Sequence, residues 1–316
     1  MTEYILFSML YGISYGLLLF MLSAGLTLIF GMLGVLSFAH GSFYMLGAYF
    51  AYVVTIKTNF WLALIAAPIA VAIVGAMVEV FGLRRLKSDE GHHALLLTYG
   101  VSYVLVQIVI LIWGLKAKFY FFPKALDGPL FWLYGTPFPK YRAFIMLVAV
   151  LMLAAIYLLL TRTRLGLVIQ ASLTHPHMVE ALGHDVPLAR TIVFAGGSSL
   201  AALAGVIGGT ALGTSPSMGL SVGSAIFAVV VIGGLGSYVG ALVASLLIGV
   251  LQTTGIAIDY STMDALMALG VHPLPEFPGR FFLTLRVADV APMMPFFLMI
   301  VLLLFRPKGL MGVRES

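Results

Sequence analysis

The sequence predicts an all-α fold, a polytopic transmembrane helical bundle of about eight to ten segments in a single domain over 1–316. Three observations point there. The chain is 61% hydrophobic and 9% charged, whereas charged residues make up about a quarter of a soluble chain. Residues 191–258 form a run of 68 positions with no Asp, Glu, Lys, Arg or His. Residues 4–56 hold no Asp, Glu, Lys or Arg over 53 positions. A soluble core does not contain such runs, but a bundle whose spans each need about 20 apolar residues requires them. The alternating ten-residue segments of a membrane barrel are absent. There is no cysteine, which excludes disulfides and thiolate metal sites. The net charge of +5 comes from basic residues in short loops, where they set orientation rather than bind nucleic acid.

Each segment follows from where polar residues interrupt the apolar pattern. Residues 4–56 accommodate two spans joined inside the membrane at 31–41, GMLGVLSFAHG, where three glycines, Ser37 and His40 break the run. No basic region precedes the first apolar run, so it is expected to stay as a span rather than be cleaved. Residues 58–78 make a third span, 91–115 a fourth, 143–161 a fifth and 191–212 a sixth. The turn 213–223, GTSPSMGLSVG, leads to two more, separated near 233–240, GGLGSYVG. A polar loop over 259–289 precedes the last apolar run, 290–305, and a basic tail. Small residues recur at every fourth position in Gly205, Gly209 and Gly213, in Gly236, Gly240 and Ala244, and in Ser245 and Gly249. That spacing lets helix backbones approach closely. GMLG at 31–34 and GGLG at 233–236 resemble each other, which hints at an inverted repeat with a site at the membrane midplane.

The polar stretch 162–190, RTRLGLVIQASLTHPHMVEALGHDVPLAR, lies between long apolar runs and reads as a loop at the membrane surface. Inside it Pro176 suits a first helical turn, after a cap at Thr174 or His175, and Gly183 suits a left-handed stop. Met178, Ala181 and Leu182 then share a face. Such a helix either fills another protein's socket or lies on lipid. The positive bias of Arg84, Arg85, Lys87, Arg162, Arg164, Arg306, Lys308 and Arg314 places 84–90, 162–190 and the tail in the cytoplasm, with the N-terminus outside. The loop 116–142, with its own lysines and Arg142, opposes that arrangement and is outvoted by three separate segments.

The chain offers little for catalysis. It has no P-loop, no HExxH and no close carboxylate pair within a span. Glu79 is an acidic residue in an apolar run, and it sits about one turn from Arg84, as a snorkelling pair would. His92 and His93 are adjacent and point to different sides of a helix. His40 lies deep in a Gly-rich apolar region beside Ser37, Phe38, Ser42 and Tyr44, so it either packs with a satisfied partner or lines a solute path. Thr98 and Tyr99, with Gln107 further along, form a second polar spot. No resident cofactor or metal is expected, and no enzymatic activity.

The stretch GLTLIFGMLGVLSFAHGSFYMLGAY at 25–49 resembles the N-terminal signature of the branched-chain amino-acid ABC transporter permease family, the LivH-type inner-membrane subunit. ALAGVIGG at 202–209, SPSMG at 215–219 and VVVIGGLGSYVGALVASLLIG at 229–249 are similar to its later core, and FRPKGLMG at 305–312 to its C-terminal signature. The resemblance implies one half of the channel of an ATP-driven importer in the bacterial inner membrane. Its implied partners are a second, LivM-type permease, two ABC ATPases that bind ATP-Mg, a periplasmic substrate-binding protein and the bilayer. It implies that Pro176, Met178, Glu180, Ala181, Leu182 and Gly183 form the ATPase-docking helix. Ser37, Phe38, His40, Ser42, Tyr44, Thr98 and Tyr99 would line the substrate path. The sequence departs from the family pattern where Ser37 replaces Asn, Ser42 replaces Glu, Gln170 replaces Arg and Tyr99 replaces a small aliphatic residue, and where 270–280 extends the last loop. These changes leave the cargo open among branched-chain amino acids, urea or other amides, and aromatic acids. A passive channel is the rival reading.

Overall fold

The computed structural model describes residues 2–86, 91–133, 135–174, 176–258 and 284–312, with single positions at 261, 263 and 267. Its helices are α1 (Thr2–Leu33), α2 (His40–Lys57), α3 (Phe60–Phe81), α4 (Gly91–Trp113), α5 (Lys140–Arg162), α6 (Arg164–Thr174), α7 (Pro176–Ala181), α8 (Val186–Leu212), α9 (Met218–Gly233), α10 (Tyr238–Ala257) and α11 (Met294–Phe305). Seven helical stretches among the described residues are long and apolar enough to cross a membrane, and α2 and α9 are not among them. The all-α bundle read from the sequence is therefore correct.

The shortness of α2 and α9 has a geometric cause. His40, the first residue of α2, donates from Nε2 to the Leu22 carbonyl at 2.8 Å, and its ring lies against Gly25. So α2 begins beside the middle of α1, about 12 Å before the end of α1 at 1.5 Å per residue. Residues 34–39 carry the chain back from the end of α1, with Gly34 at φ +65° making the reversal. The start of α9 does the same from the other side. Residues 213–217 turn back from the end of α8, and Gly219 packs directly on Gly41.

Directions complete the pattern. Gly25 meets Gly197, and Leu28 and Met32 cluster with Ala189 and Val193, so α1 and α8 run antiparallel. The Phe43 and Phe194 rings meet at 5.9 Å, Gly47 packs on Ala202 and Ala48 on Gly209, so α2 runs with α8. Gly31 faces Gly236 just past the end of α9, so α9 runs with α1. On the outside of this core, α10 crosses α1 antiparallel through Gly12, Gly16 and Gly249, while α3 crosses α8 through Gly75 and Ser198. Helix α4 flanks α2, and α11 flanks α9. The units α1–α4 and α8–α11 are thus inverted copies, with α5 to α7 between them. The resemblance of 31–34 to 233–236 does not mark equivalent positions. The counterpart of 34–39 is 213–217, and the two Gly-rich strings instead touch each other.

Several elements depart from the expected bounds. Helix α8 starts at Val186, not near 191, because Asp185 accepts the Leu188 N–H at 2.9 Å and Pro187 occupies the first turn. The loop 162–190 holds a further helix, α6. The loop 116–142 contains a hairpin, β1 (Pro129–Leu133) with β2 (Thr136–Pro139), closed at Gly135 with φ +80° and stacked through Phe131 and Phe138 at 5.1 Å. Its neighbours Tyr120 and Tyr141 donate to the carbonyls of Val206 and Ile207 at 2.6 and 2.7 Å, tying this loop to the end of α8. The extended part of the last loop, 270–280, lies outside the described residues.

The core crossings rest on glycine. A Cβ at Gly205 would overlap the Tyr44 carbonyl oxygen, and one at Gly47 would overlap the Ala202 backbone, whereas one at Gly100 meets nothing within 4 Å. Overpacking a tight core typically costs about 1–3 kcal/mol. Gly205→Leu should therefore lower the melting temperature of the detergent-purified protein by several degrees, with Gly100→Leu close to wild type. Equal melting of the two variants would contradict the packing described.

Candidate functional site

The starts of α2 and α9 meet in the centre of the bundle, and a cavity of about 350 Å³ opens beside them. One half contributes Ser37, Phe38, His40 and Gly41, the other Gly219 and Ser224. No side chain caps either helix start. Helix α4 steadies the returning segment: the Phe38 N–H donates to Thr98 Oγ1 at 3.3 Å, and Thr98 in turn donates to the Leu95 carbonyl at 3.0 Å. One turn on, Ser42 and Ser102 share a hydroxyl hydrogen bond of 2.8 Å.

The structure sorts the residues singled out in the sequence. Ser37, Phe38 and His40 line the cavity. Thr98 and Ser42 stand behind them as supports. Tyr99 is 63% exposed and touches Phe38 edge to face at 6.2 Å, at the open side. Tyr44 lies elsewhere, fully buried between α2 and Gly208 of α8 and outside the cavity. Ser102, Gly219, Ser224 and Phe296 were missed. Ser102 was within reach, four residues from Thr98 on the same helical face. The others come from the second inverted copy, which no local pattern links to the first.

Two polar atoms of these residues, buried behind the wall rather than facing the cavity, lack partners among the described residues. His40 Nδ1 and Ser37 Oγ make no hydrogen bond, and their residues are 2% and 5% exposed. The His40 Nε2–H is committed to the Leu22 carbonyl, so in the neutral ring Nδ1 is an acceptor. Orphaned polar groups at membrane depth carry a desolvation penalty that only a hydrogen-bonding partner relieves.

At the surface of the bundle, α7 has the expected form. Gly183 has φ +85°, and the N–H groups of Gly183 and His184 return to the carbonyls of Glu180 and Val179 at 2.9 and 3.2 Å. Met178 and Leu182 are 67% and 78% exposed, and Ala181 and Glu180 are exposed beside them. Val179, which the sequence did not single out, is buried and anchors the helix inward. The side chains of Thr174, His175 and Pro176 lie outside the described residues.

Just beyond α7, a polar cluster joins α3 to α8. Arg84 pairs with buried Glu79 at 3.1 Å and donates to the Pro187 carbonyl at 2.8 Å and to Thr191. Thr191 also donates to Glu79. The pair read from sequence is present, and it is also a cross-link to the first turns of α8.

Comparison with known proteins places this architecture. The family described as branched-chain amino acid transport system / permease component matches residues 8–304. The chain belongs to that permease family. The permease is 27% identical to the high-affinity branched-chain amino acid transport system permease protein BraD of Pseudomonas aeruginosa, over 96% of this chain and 94% of that one. It is 27% identical to LivH of Escherichia coli and 26% identical to LivH of Salmonella typhimurium, each over 99% of this chain and 97% of the relative. No solved structure matches.

The Glu79 cluster makes a measurable demand on the permease. Removing one partner of a buried pair costs about 3–5 kcal/mol, because a charge is left unpaired. Here the loss is smaller, since the Arg84 side chain is 39% exposed. Arg84→Ala should destabilise the permease more than the double variant Arg84→Ala with Glu79→Gln, which leaves no orphan carboxylate. Thermal unfolding of both in the same detergent checks this, and a double variant no more stable than Arg84→Ala would contradict it.

Proposed function

We propose that this permease is one half of the translocation channel of an ATP-driven importer in the bacterial inner membrane. The observation that carries the proposal is the pair of inverted units whose broken helices meet beside a central cavity, the geometry suited to rocking around a fixed central site. The relatives are named for branched-chain amino acid transport, and these solutes are the proposed cargo. A second, related permease completes the path, and a periplasmic binding protein delivers solute to the outer loops. Two ATPases bind ATP-Mg and dock at α7. This chain performs no catalysis and holds no cofactor of its own. The bilayer surrounds its apolar face.

In this reading the ATPase engages Met178, Ala181 and Leu182 while Val179 and Gly183 hold the helix in place. Burying a side chain such as Leu182 contributes about 1.5–3 kcal/mol, and a carboxylate at position 181 sits unpaired in the same contact. The cytoplasmic side is the one bearing α6, α7 and the basic tail, and the hairpin side is periplasmic.

Ala181→Glu and Gly183→Val should reduce ATP-dependent leucine uptake in vesicles by tenfold or more and weaken co-purification of the ATPase, with the permease still inserted. Undiminished uptake by Ala181→Glu, or uptake that persists without ATP, would point instead to a passive channel. Because the chain has no cysteine, orientation can be read from single substitutions. Asp127→Cys should react with an impermeant thiol reagent in intact cells, and Leu182→Cys should not. The reverse pattern overturns the orientation.

A further inference from the structure

The hairpin end of the bundle holds a cation that the fold does not neutralise. Arg142 stands in the first turn of α5, on the loop whose charges run against the orientation set by the rest of the chain. Its guanidinium lies over the Tyr11 ring of α1, 3.9 Å from the ring centre. Tyr11 in turn meets Phe138 of β2 edge to face at 6.0 Å. Arg142 has no carboxylate partner among the described residues. A ring face holds a guanidinium in place without using its N–H groups, so the planar edge can still receive two oxygens of one anion.

A cavity of about 480 Å³ opens at this cation, where the start of α1 meets the end of α10. Arg142, Gln252 and Thr253 give it polar groups, and Phe7, Ile256 and Ala257 give it an apolar wall. Ile256 is 54% exposed, so that wall reaches the flank of the bundle. On the same two helices Leu6, Met9, Ile13 and Leu251 are exposed as well. Arg142 is the third residue of its span and Ala257 the last of α10, so the charge lies at the depth where the hydrocarbon gives way to headgroups. A free ion has no use for the apolar wall, whereas a phospholipid has an anion and a chain joined in the order the site presents them. We propose that Arg142, held over Tyr11 and flanked by Gln252 and Thr253, binds the phosphate of a phospholipid whose chain lies in the groove between α1 and α10. In the orientation given above this is a lipid of the outer leaflet. It fastens the start of α5 to one helix from each inverted unit, whatever the cargo is.

The full-length permease, stripped of lipid in detergent, is titrated with phosphatidylglycerol and with diacylglycerol of the same chains, and retained molecules are counted by native mass spectrometry. The first phosphatidylglycerol should bind about tenfold more tightly than diacylglycerol, the difference a charge-assisted hydrogen-bonded pair supplies. Arg142→Gln should bring the two lipids to the same affinity. Arg142→Lys should fall between, because an ammonium keeps the charge but not the two-oxygen fork. Ala257→Trp keeps Arg142 and fills the groove at an exposed position, and it should lower retention too. Arg164→Gln, at the opposite end of the bundle, should bind as wild type does. Inorganic phosphate added in excess should displace little of the bound lipid.

No retained phosphatidylglycerol would make Arg142 an ordinary snorkelling side chain and overturn the proposal. Equal binding of the two lipids by wild type, or undiminished binding by Arg142→Gln, overturns it as well. Full displacement by inorganic phosphate would mark a site for a free anion and not for a lipid. Should Arg142→Gln fail to fold, Ala257→Trp decides: retention equal to wild type places the lipid elsewhere and sinks the site.

Discussion

Backbone packed against backbone at the centre of the bundle is the constraint from which the rest of this structure follows. Gly25 lies on Gly197 and Gly41 on Gly219, with no side chain between them. Only because these surfaces are bare can two broken helices reach the interior of the bundle and face each other. A chain break at that depth leaves helix-end N–H and C=O groups in a medium that offers no water. Such breaks are tolerated only where protein or an internal cavity surrounds them. The cavity by His40 is thus as much a consequence of the glycine contacts as the crossing angles are.

The same packing links the surface helix to the centre. Helix α7 is anchored by Val179, and a few residues later Asp185 caps α8. Within the first turns of α8, the Glu79–Arg84–Thr191 cluster fastens it to the end of α3. Helix α8 then runs unbroken to Leu212, and its Gly197 packs on Gly25 of α1. Helix α7 is therefore joined through α8 to α2, on which α8 packs where Gly47 meets Ala202. Helix α3 is held to α8 by a buried carboxylate and not by apolar contact alone.

Much of this was legible in the sequence, and for physical reasons. Charge-free runs fixed the spans, and the Gly, Ser and His cluster at 31–41 marked the interrupted helix. Pro176 and Gly183 bounded the surface helix, because each suits a backbone conformation that few other residues favour. The inverted relation between the halves was not legible. What repeats is chain direction and packing partner, and the two returning segments, GVLSFA at 34–39 and GTSPS at 213–217, share almost no residues. The near-match between 31–34 and 233–236 misled for the same reason: both are glycine-rich because they press on each other. Tyr44 looked like a member of the polar site because it is close in sequence to His40. One turn further along the same face of α2, about 6 Å on, it packs against Gly205 and Gly208 of α8 instead.

Among the described residues, the lining of the cavity contains no Asp, Glu, Lys or Arg. Moving one elementary charge across a membrane potential involves about 2.3 kcal/mol per 100 mV. A wall built from hydroxyls, one imidazole and apolar side chains holds no carboxylate, ammonium or guanidinium group. The field across the membrane therefore finds no charged side chain in that lining to act on.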